Sequence, residues 1–441
     1  MGLGKSGFAC VRHLHQLGFE VEVIDTRAQP PMLDLLKKEF PDTRFTTGAP
    51  EIDYLNGFDT VVVSPGLSVR QGAVAEYINA GNQVVGDVEL FAQQAKAPII
   101  AITGANGKST VTDLVGHILH SSKKVLVGGN IGTPVLELLD QPVPDVYVLE
   151  LSSFQLETTH SLNAFSSVVL NISEDHMDRY RDIDDYASTK QKIFQGDGLV
   201  VLNRDDARVL AMKPASRDIR FFTLEVPATE NEYGLAEYEN ETWLYKGHQP
   251  LFPASEVRLA GRHNLANVLA ALALIEPLML SPESVRRAVG SYTGLSHRCE
   301  VVAEQNNVRW INDSKATNVG ATIAALQGMD GPVILVAGGE GKDADFQPLR
   351  PVVEQSARAV ILIGRDAGLI EEALNGSVPI YRAGSMQEAV EHAANMAWPG
   401  DVVMLSPACA SFDMFDNFEH RGSVFAELAR SMAAKAGRLS T

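Results

Sequence analysis

The segment "IIAITGANGKST", residues 99–110, constrains the fold more than any other stretch of the chain. An apolar strand runs into a glycine turn, and Lys108, Ser109 and Thr110 open a helix behind it. That order aims backbone N–H groups, a helix N-terminus and one cation at a single point, which suits a polyphosphate. Ser109 is placed to ligate Mg²⁺. The spacing departs from the general Walker pattern, since Ile102 stands where its first glycine would fall. Read as structure alone, the stretch is a strand-to-helix turn.

The same alternation recurs along the chain. "FEVEVID", "FDTVVVSPG" and "NQVVGDVELF" are short β-branched runs separated by helix-like stretches, the pattern of a parallel sheet with crossover helices. In a second unit "DVYVLELSS", "FSSVVLNIS" and "GLVVLNRDD" read as buried strands, each ending in polar residues where an α/β sheet places its ligands. "GPVILVAGGEG", "ARAVILIGRDAG" and "GDVVMLSPACAS" form a third series after Gly294, with helical patterns such as "SMQEAVEHAANMA" between them. A chain of 441 residues exceeds what one core supports. The expectation is three α/β domains in series, residues 1–92, 93–296 and 297–441. The acidic stretch Glu225 to Pro250 reads as an irregular β excursion of little functional content.

Composition excludes some classes. A formal net charge of −18 argues against general nucleic-acid binding, so any phosphate site is local. Cys10, Cys299 and Cys409 are odd in number and far apart, with no Cys-x-x-Cys pair, which fits a reducing cytosol. The longest apolar stretch, "LANVLAALALIEPLML", is interrupted by Asn267, Glu276 and Pro277 and is too short to span a bilayer. A cytoplasmic protein with no membrane partner is expected.

Several polar clusters follow strands. Glu150 ends "DVYVLE", where its carboxylate suits a hard cation, or a solvated strand end, or the cap of the next helix. "NISEDHMDRY" sets His176 among Glu174, Asp175 and Asp178, as a ligand, a phosphate-orienting group or a structural histidine. In "DIDDYASTKQKIF" a helical period puts Tyr186, Lys190 and Ile193 on one face and turns Lys192 away, so Lys190 is the lysine aimed inward unless it snorkels to solvent. "INDSKATNVGA" groups Asp313, Lys315, Thr317 and Asn318, suited to a ribose, a phosphate and a carboxylate, with an Asp or Thr helix cap as the structural alternative. "GGEGKDADF" sets Lys342 in a glycine turn, and "SPACASFDMFDNF" adds Ser406 and Ser411. The opening "GLGKSG", with Asp25 after "EVEVI", resembles a dinucleotide fingerprint but lacks the strand that gives the motif its specificity.

Taken together, "ITGANGKST", "YVLELSSFQLET", "LNISEDHMDRY", "GRHNLANVLAALAL", "HRCE", "INDSKATNVGA", "GGEGKDADF" and "LSPACASFDMFDNFEHRG" resemble the bacterial Mur ligases, in order and over nearly the whole chain. The resemblance implies a Rossmann-like N-terminal domain, a P-loop-type central ATPase domain and a Rossmann-like C-terminal domain. It implies ATP-driven addition of D-glutamate to UDP-N-acetylmuramoyl-L-alanine through an acyl phosphate, a step of peptidoglycan precursor synthesis. The partners would be these small molecules, the enzyme a monomer, and the cofactor two Mg²⁺ ions.

By that resemblance, residues Gly104, Ala105, Asn106, Gly107, Lys108, Ser109 and Thr110 hold ATP phosphates, and Asn264, Asn267, Arg298 and Asp313 contact adenine, ribose and phosphates. Ser109 and Glu150 serve the first magnesium, His176 and Lys190 the second, with Lys190 carbamylated by CO₂. Lys315 supports the reacting phosphate region. Thr317, Lys342, Ser411 and Phe418 form the D-glutamate pocket. Ser6, Asp25, Thr26, Arg27 and Gly66 bind the UDP moiety, and Asn130 and Ser152 line the path of the muramoyl-alanine arm. A hinge is expected near Gly294, closing Lys342 and Ser411 towards Lys108.

The family ordinarily has a strand before the first glycine loop, and this chain opens without it. The expectation is either a start codon assigned too far downstream or a first domain short of a central strand, less stable and weaker for the UDP substrate. Three alternatives stand beside the main reading. A nicotinamide dehydrogenase explains "GLGKSG" and Asp25 but leaves "GANGKST" and Glu150 without a task. Another amide ligase of the superfamily, such as a folylpolyglutamate synthase, is nearer. A chain that binds ATP without turnover is the third.

Overall fold

Short β-branched runs at the start of the chain form two small parallel sheets in the computed structural model, which describes residues 1–439. Strand β1 (Glu22–Asp25) pairs with β2 (Arg44–Thr47), and β3 (Val61–Val62) with β4 (Val84–Val85). Residues 1–3, which lead into the glycine loop, run between the two sheets. The Gly2 N–H donates to the Ile24 carbonyl at 2.8 Å, the Ser64 N–H to the Met1 carbonyl at 2.9 Å, and the Met1 amino group to the Val62 carbonyl at 2.6 Å. The helix Lys5–Gln16 follows at once. Its Gly7 is obligatory, because a Cβ there would lie 1.9 Å from the Gly2 carbonyl oxygen. Leu3, Phe8, Val11, Val23, Leu33 and Leu36 bury one small core beside β1.

The larger sheet is built from β5 (Ile99–Thr103), β6 (Val125–Gly129), β7 (Val146–Glu150), β8 (Ser166–Val169), β9 (Leu199–Asn203) and β10 (Ile219–Phe222), all parallel, in the order β10-β9-β8-β5-β7-β6. Every residue of β5, β7 and β8 is buried, although β8 begins with Ser166 and Ser167 and β7 ends in Glu150. The C-terminal ends of β5, β7 and β8 therefore open side by side, where such sheets bind ligands.

The acidic stretch expected as an irregular β excursion is β, and its strands are regular. It forms β11 (Glu232–Tyr238), β12 (Glu241–Lys246) and β13 (Gln249–Pro253), which continue the sheet beyond β10. Tyr233 and Lys246 of this stretch share a partner distant in sequence with Arg220. Arg220, Tyr233 and Lys246 converge on the Glu276 carboxylate at 2.9, 2.8 and 3.0 Å.

A separate six-stranded sheet comprises β14 (Glu300–Gln305), β15 (Val308–Asn312), β16 (Val333–Gly338), β17 (Ala357–Ile363), β18 (Ile380–Arg382) and β19 (Val402–Leu405) in the order β14-β15-β19-β16-β17-β18. Only β14 runs antiparallel to its neighbour. Because β19 lies between β15 and β16, the loops bearing Asp313, Lys342 and Ser411 leave neighbouring strands. The chain divides into two compact units, one of residues 1–236, 244–251 and 269–288, the other of the remainder, which holds this second sheet. Ser440 and Thr441, at the end of the third expected domain, lie outside the described residues. Among the described residues no helix is long and apolar enough to cross a membrane. Cys10, Cys299 and Cys409 are buried and unbridged.

Candidate active site

The glycine loop after β5 ends at Gly107, whose backbone is left-handed (φ 83°) and which leads directly into the helix Lys108–His120 with no side-chain cap. The loop is braced from behind by Asn171, a residue that local patterns did not single out. Its side chain accepts from the Asn106 N–H at 2.8 Å and donates to the Asn106 carbonyl at 3.1 Å, while its own carbonyl accepts from the Ala105 N–H at 3.0 Å. Ser109 and Thr110 are buried in the first helical turn. The Lys108 amine folds back onto the Gly104 and Ala105 carbonyls at 3.0 and 2.8 Å.

Glu150 closes β7 beside that loop and is only 2% exposed. One carboxylate oxygen accepts from the Asn130 side-chain amide at 2.7 Å, and the other, Oε2, is buried without a partner. Glu150 does not cap the next helix. Ser152 does, in a capping box with Gln155, its hydroxyl accepting from the Gln155 N–H at 3.2 Å. An orphaned buried carboxylate oxygen next to a phosphate-type loop fits a hard divalent cation. Among the described residues no three His, Cys, Asp or Glu side chains gather into a metal site.

Lys190 sits on the inner face of the helix Ile183–Gln191, as its phase predicted, and is 1% exposed. Its amine donates to the Gly104 carbonyl at 2.9 Å and the Thr103 hydroxyl at 3.3 Å, whereas the Lys192 amine goes to the Glu157 carbonyl at 3.0 Å. Burial drives the Lys190 pKa well below the usual lysine range, and the Lys108 cation adds to this. His176 has a left-handed backbone (φ 59°) and packs its ring against Phe154 at 4.6 Å. Burial lowers its pKa against the opposing pull of Asp175. The loop, Glu150, His176 and Lys190 thus share one unit and one end of its sheet.

The first lobe gathers its own set. The Asp25 carboxylate is almost fully buried, accepting from the Leu3 and Arg27 N–H groups at 2.7 and 2.8 Å and from the Arg27 guanidinium at 2.7 and 2.9 Å. The Arg27 hydrogen bonds hold its pKa below the carboxylate range. Ser6 is half-buried in the first helical turn, while Thr26 and Gly66 are exposed.

In the second unit Asn264 and Asn267 are buried one turn apart, linked at 3.0 Å. Asp313 follows β15 and accepts from the Ser406 hydroxyl at 2.9 Å and the Cys299 N–H at 3.2 Å, and Arg298 is half-buried. The Lys315 amine lies 4.1 Å from the centre of the Phe418 ring. Asn318, rather than Asp313 or Thr317, caps the helix Val319–Gln327. Thr317 is half-buried, Ser411 is 2% exposed, and Lys342 stands exposed on a left-handed turn (φ 52°).

Arg421, unrecognised in the sequence, holds these loops together. Its guanidinium is 1% exposed and donates to the Ser314 hydroxyl at 3.0 Å, the Ser314 carbonyl at 2.8 Å and the Cys409 carbonyl at 3.1 Å.

Burial raises the Asp313 pKa from its ordinary 3.8 to about 7. Between those values the native carboxyl keeps a proton that the unfolded chain has lost, so stability falls as pH rises through that window. Asp313→Asn removes this titration. The drop in Tm between about pH 4 and about pH 8 should shrink by a few degrees in the variant, measured by thermal melts. An unchanged drop would mean that Asp313 ionises normally.

These features define a multidomain α/β protein with a phosphate-type loop beside a carboxylate and a buried lysine. Three family descriptions match it in series: "Mur ligase MurD-like, N-terminal domain" over residues 1–86, "Mur ligase middle domain" over 102–275 and "Mur ligase, glutamate ligase domain" over 297–409. The chain belongs to the Mur ligase family, whose members are ATP-dependent ligases. It is 50% identical to the UDP-N-acetylmuramoylalanine--D-glutamate ligase of Nitrosococcus oceani, across 98% of this chain and 96% of the relative, and 49% identical to the enzyme of that name from Marinobacter nauticus, across 98% and 97%. Among solved structures it resembles a pseudomurein peptide ligase type C from Methanothermus fervidus (TM-score 0.60, 19% identity, 98% of both chains) and the UDP-N-acetylmuramate-alanine ligase MurC from Thermotoga maritima (TM-score 0.58, 19% identity, 98% of both chains). Identities this low support the three-domain α/β fold alone.

Proposed function

We infer that the chain catalyses the ATP-dependent addition of D-glutamate to UDP-N-acetylmuramoyl-L-alanine, a cytoplasmic step of peptidoglycan precursor synthesis, acting on small molecules as a monomer. The observation that carries this reading is the convergence of the glycine loop, the orphaned Glu150 oxygen and the buried Lys190 amine at one sheet end.

A carboxylate and an amine do not condense in water until the carboxylate gains a leaving group. Phosphoryl transfer from ATP makes an acyl phosphate and ADP; the D-glutamate amine attacks its carbonyl, and phosphate leaves from a tetrahedral intermediate. The residues Gly104 to Thr110 bind the ATP phosphates, and Lys108 exchanges its carbonyl partners for phosphate oxygens. Asn264, Asn267, Arg298 and Asp313 bind the nucleoside, and Lys315 supports the transferred phosphate.

Ser109 and Glu150 would hold one Mg²⁺, His176 and Lys190 a second, and these ions would screen the repulsion between carboxylate and phosphate. A neutral His176 has the lone pair such a role needs. Lys190 needs an oxygen anion instead: its neutral amine attacks CO₂, forms an N–C bond and releases one proton to solvent, leaving a carbamate. Depression of its pKa supplies the neutral amine.

Ser6, Asp25, Thr26, Arg27 and Gly66 bind the UDP moiety, with Asp25 setting the Arg27 fork. Asn130 and Ser152 line the muramoyl-alanine arm. Thr317, Lys342, Ser411 and Phe418 receive D-glutamate, and Lys342 answers its carboxylates.

The deciding experiment is phosphate release with ATP, Mg²⁺, UDP-N-acetylmuramoyl-L-alanine and either D- or L-glutamate. Release that needs the UDP substrate and D-glutamate is expected. Release with L-glutamate alone, or none with ATP bound, would sink the assignment.

A further inference from the structure

Two arginines outside the site described so far meet on one buried carboxylate. Glu157, 3% exposed at its side chain, ends the short helix Ser153–Glu157. One of its oxygens accepts from the Arg70 Nε at 2.5 Å and the other pairs with Arg179. Arg179 also donates to the Pro65 and Leu67 carbonyls at 3.1 and 3.0 Å, and its guanidinium lies 4.0 Å from the centre of Phe154, the ring that packs on His176. The loop that follows β3 is thereby fastened to the segment bearing His176.

Arg70, at the end of that loop, reaches further. Its guanidinium donates to the Asp185 carboxylate at 2.6 Å and the Thr189 hydroxyl at 3.1 Å, and sits 4.6 Å from the centre of the Tyr180 ring. Asp185 and Thr189 are four residues apart on the helix Ile183–Gln191, so the fork grips two successive turns of one face. Thr189 directly precedes Lys190. A helix held at two turns cannot rotate about its axis, and a one-residue slip of about 100° would carry the Lys190 amine away from its seat. Three donors in one plane make this grip, and an ammonium has no such fork.

We propose that Arg70 is a positioning residue for the ligase reaction, fixing the rotation of the helix Ile183–Gln191 and with it the seat of the Lys190 amine against Thr103 and Gly104. This rests on the reading of Lys190 as a carbamate given above. Gly66 lies in the same loop, so a substrate bound there and the lysine are joined through one side chain.

The test uses the full chain, wild type and Arg70→Met, Arg70→Lys and Thr189→Val, titrated with ¹³C-bicarbonate while the carbamate ¹³C resonance is followed, with kcat and KM for ATP measured in parallel. Arg70→Met is expected to raise the half-saturating bicarbonate about fivefold or more. It should lower kcat about tenfold to a hundredfold with KM for ATP little changed, and Arg70→Lys should recover part of the loss. Carbamate half-saturation and kcat both within about twofold of wild type in Arg70→Met would overturn the proposal. If Arg70→Met fails to fold, Thr189→Val decides: a raised half-saturation supports Arg70, an unchanged one overturns it. A wild-type chain without the resonance overturns the carbamate reading instead. In that case a loss of kcat at constant KM for ATP in Arg70→Met still supports Arg70, and an unchanged kcat overturns it.

Discussion

Replacing Glu150 by glutamine is expected to cut ligase turnover about a thousandfold, the scale of the several kcal/mol that a correctly placed cation contributes to a phosphoryl or acyl transfer. The chain should remain as stable as before, or become more so. Glu150 is a carboxylate at 2% exposure with one hydrogen bond, from Asn130 at 2.7 Å, and a second oxygen that touches no donor. A buried charge satisfied so incompletely costs several kcal/mol, and folding alone gives no reason to keep it. Glutamine has nearly the same shape, keeps an oxygen for Asn130 and carries no charge. Its Tm without Mg²⁺ should match or exceed that of the wild type by a few degrees while phosphate release is lost. Loss of Tm and activity together would make Glu150 a structural residue. Retained turnover would remove it from the site.

What the sequence made legible was local. The glycine loop was readable because strand, turn and helix start lie within a dozen residues and each has its own composition. Lys190 could be told from Lys192 because helical phase alone separates them, and their amines do go to different carbonyls. Glu150 stood at a strand end in the sequence, but that its second oxygen would be orphaned depended on Asn130, twenty residues away on another strand's loop. The braces were invisible for the same reason at longer range. Arg70 and Glu157 are 87 residues apart and Arg421 and Ser314 107, and no periodicity links such pairs until the sheets bring their loops together. Asn171 escaped notice because an Asn after a strand is ordinary turn chemistry. The acidic stretch before Pro250 misled in the other direction. Its composition suggested an irregular β excursion, but the stretch forms regular strands, and its Lys246 meets Glu276 beside Arg220.

Lys190→Met should also abolish turnover, by about a thousandfold or more, and should do so with a different signature. The wild-type amine is 1% exposed, held by one carbonyl and one hydroxyl, with the Lys108 cation close by. Its native pKa is depressed while the unfolded lysine titrates near 10.5, so between the depressed native pKa and that value unfolding takes up a proton and stability rises with pH. Methionine fills a similar volume and removes this linkage. The variant should therefore be no less stable than wild type near neutral pH, and its Tm should climb less steeply as pH increases. Wild-type turnover in CO₂-depleted buffer should recover on adding bicarbonate; the variant should give no response. If bicarbonate leaves the wild type unchanged while Lys190→Met is inactive, the lysine acts as a cation on phosphate rather than as a carbamate. His176 would then face its ion with water in place of a second protein ligand. If the variant keeps its turnover, the burial of Lys190 belongs to folding, and the helix that Arg70 grips has no part in the chemistry.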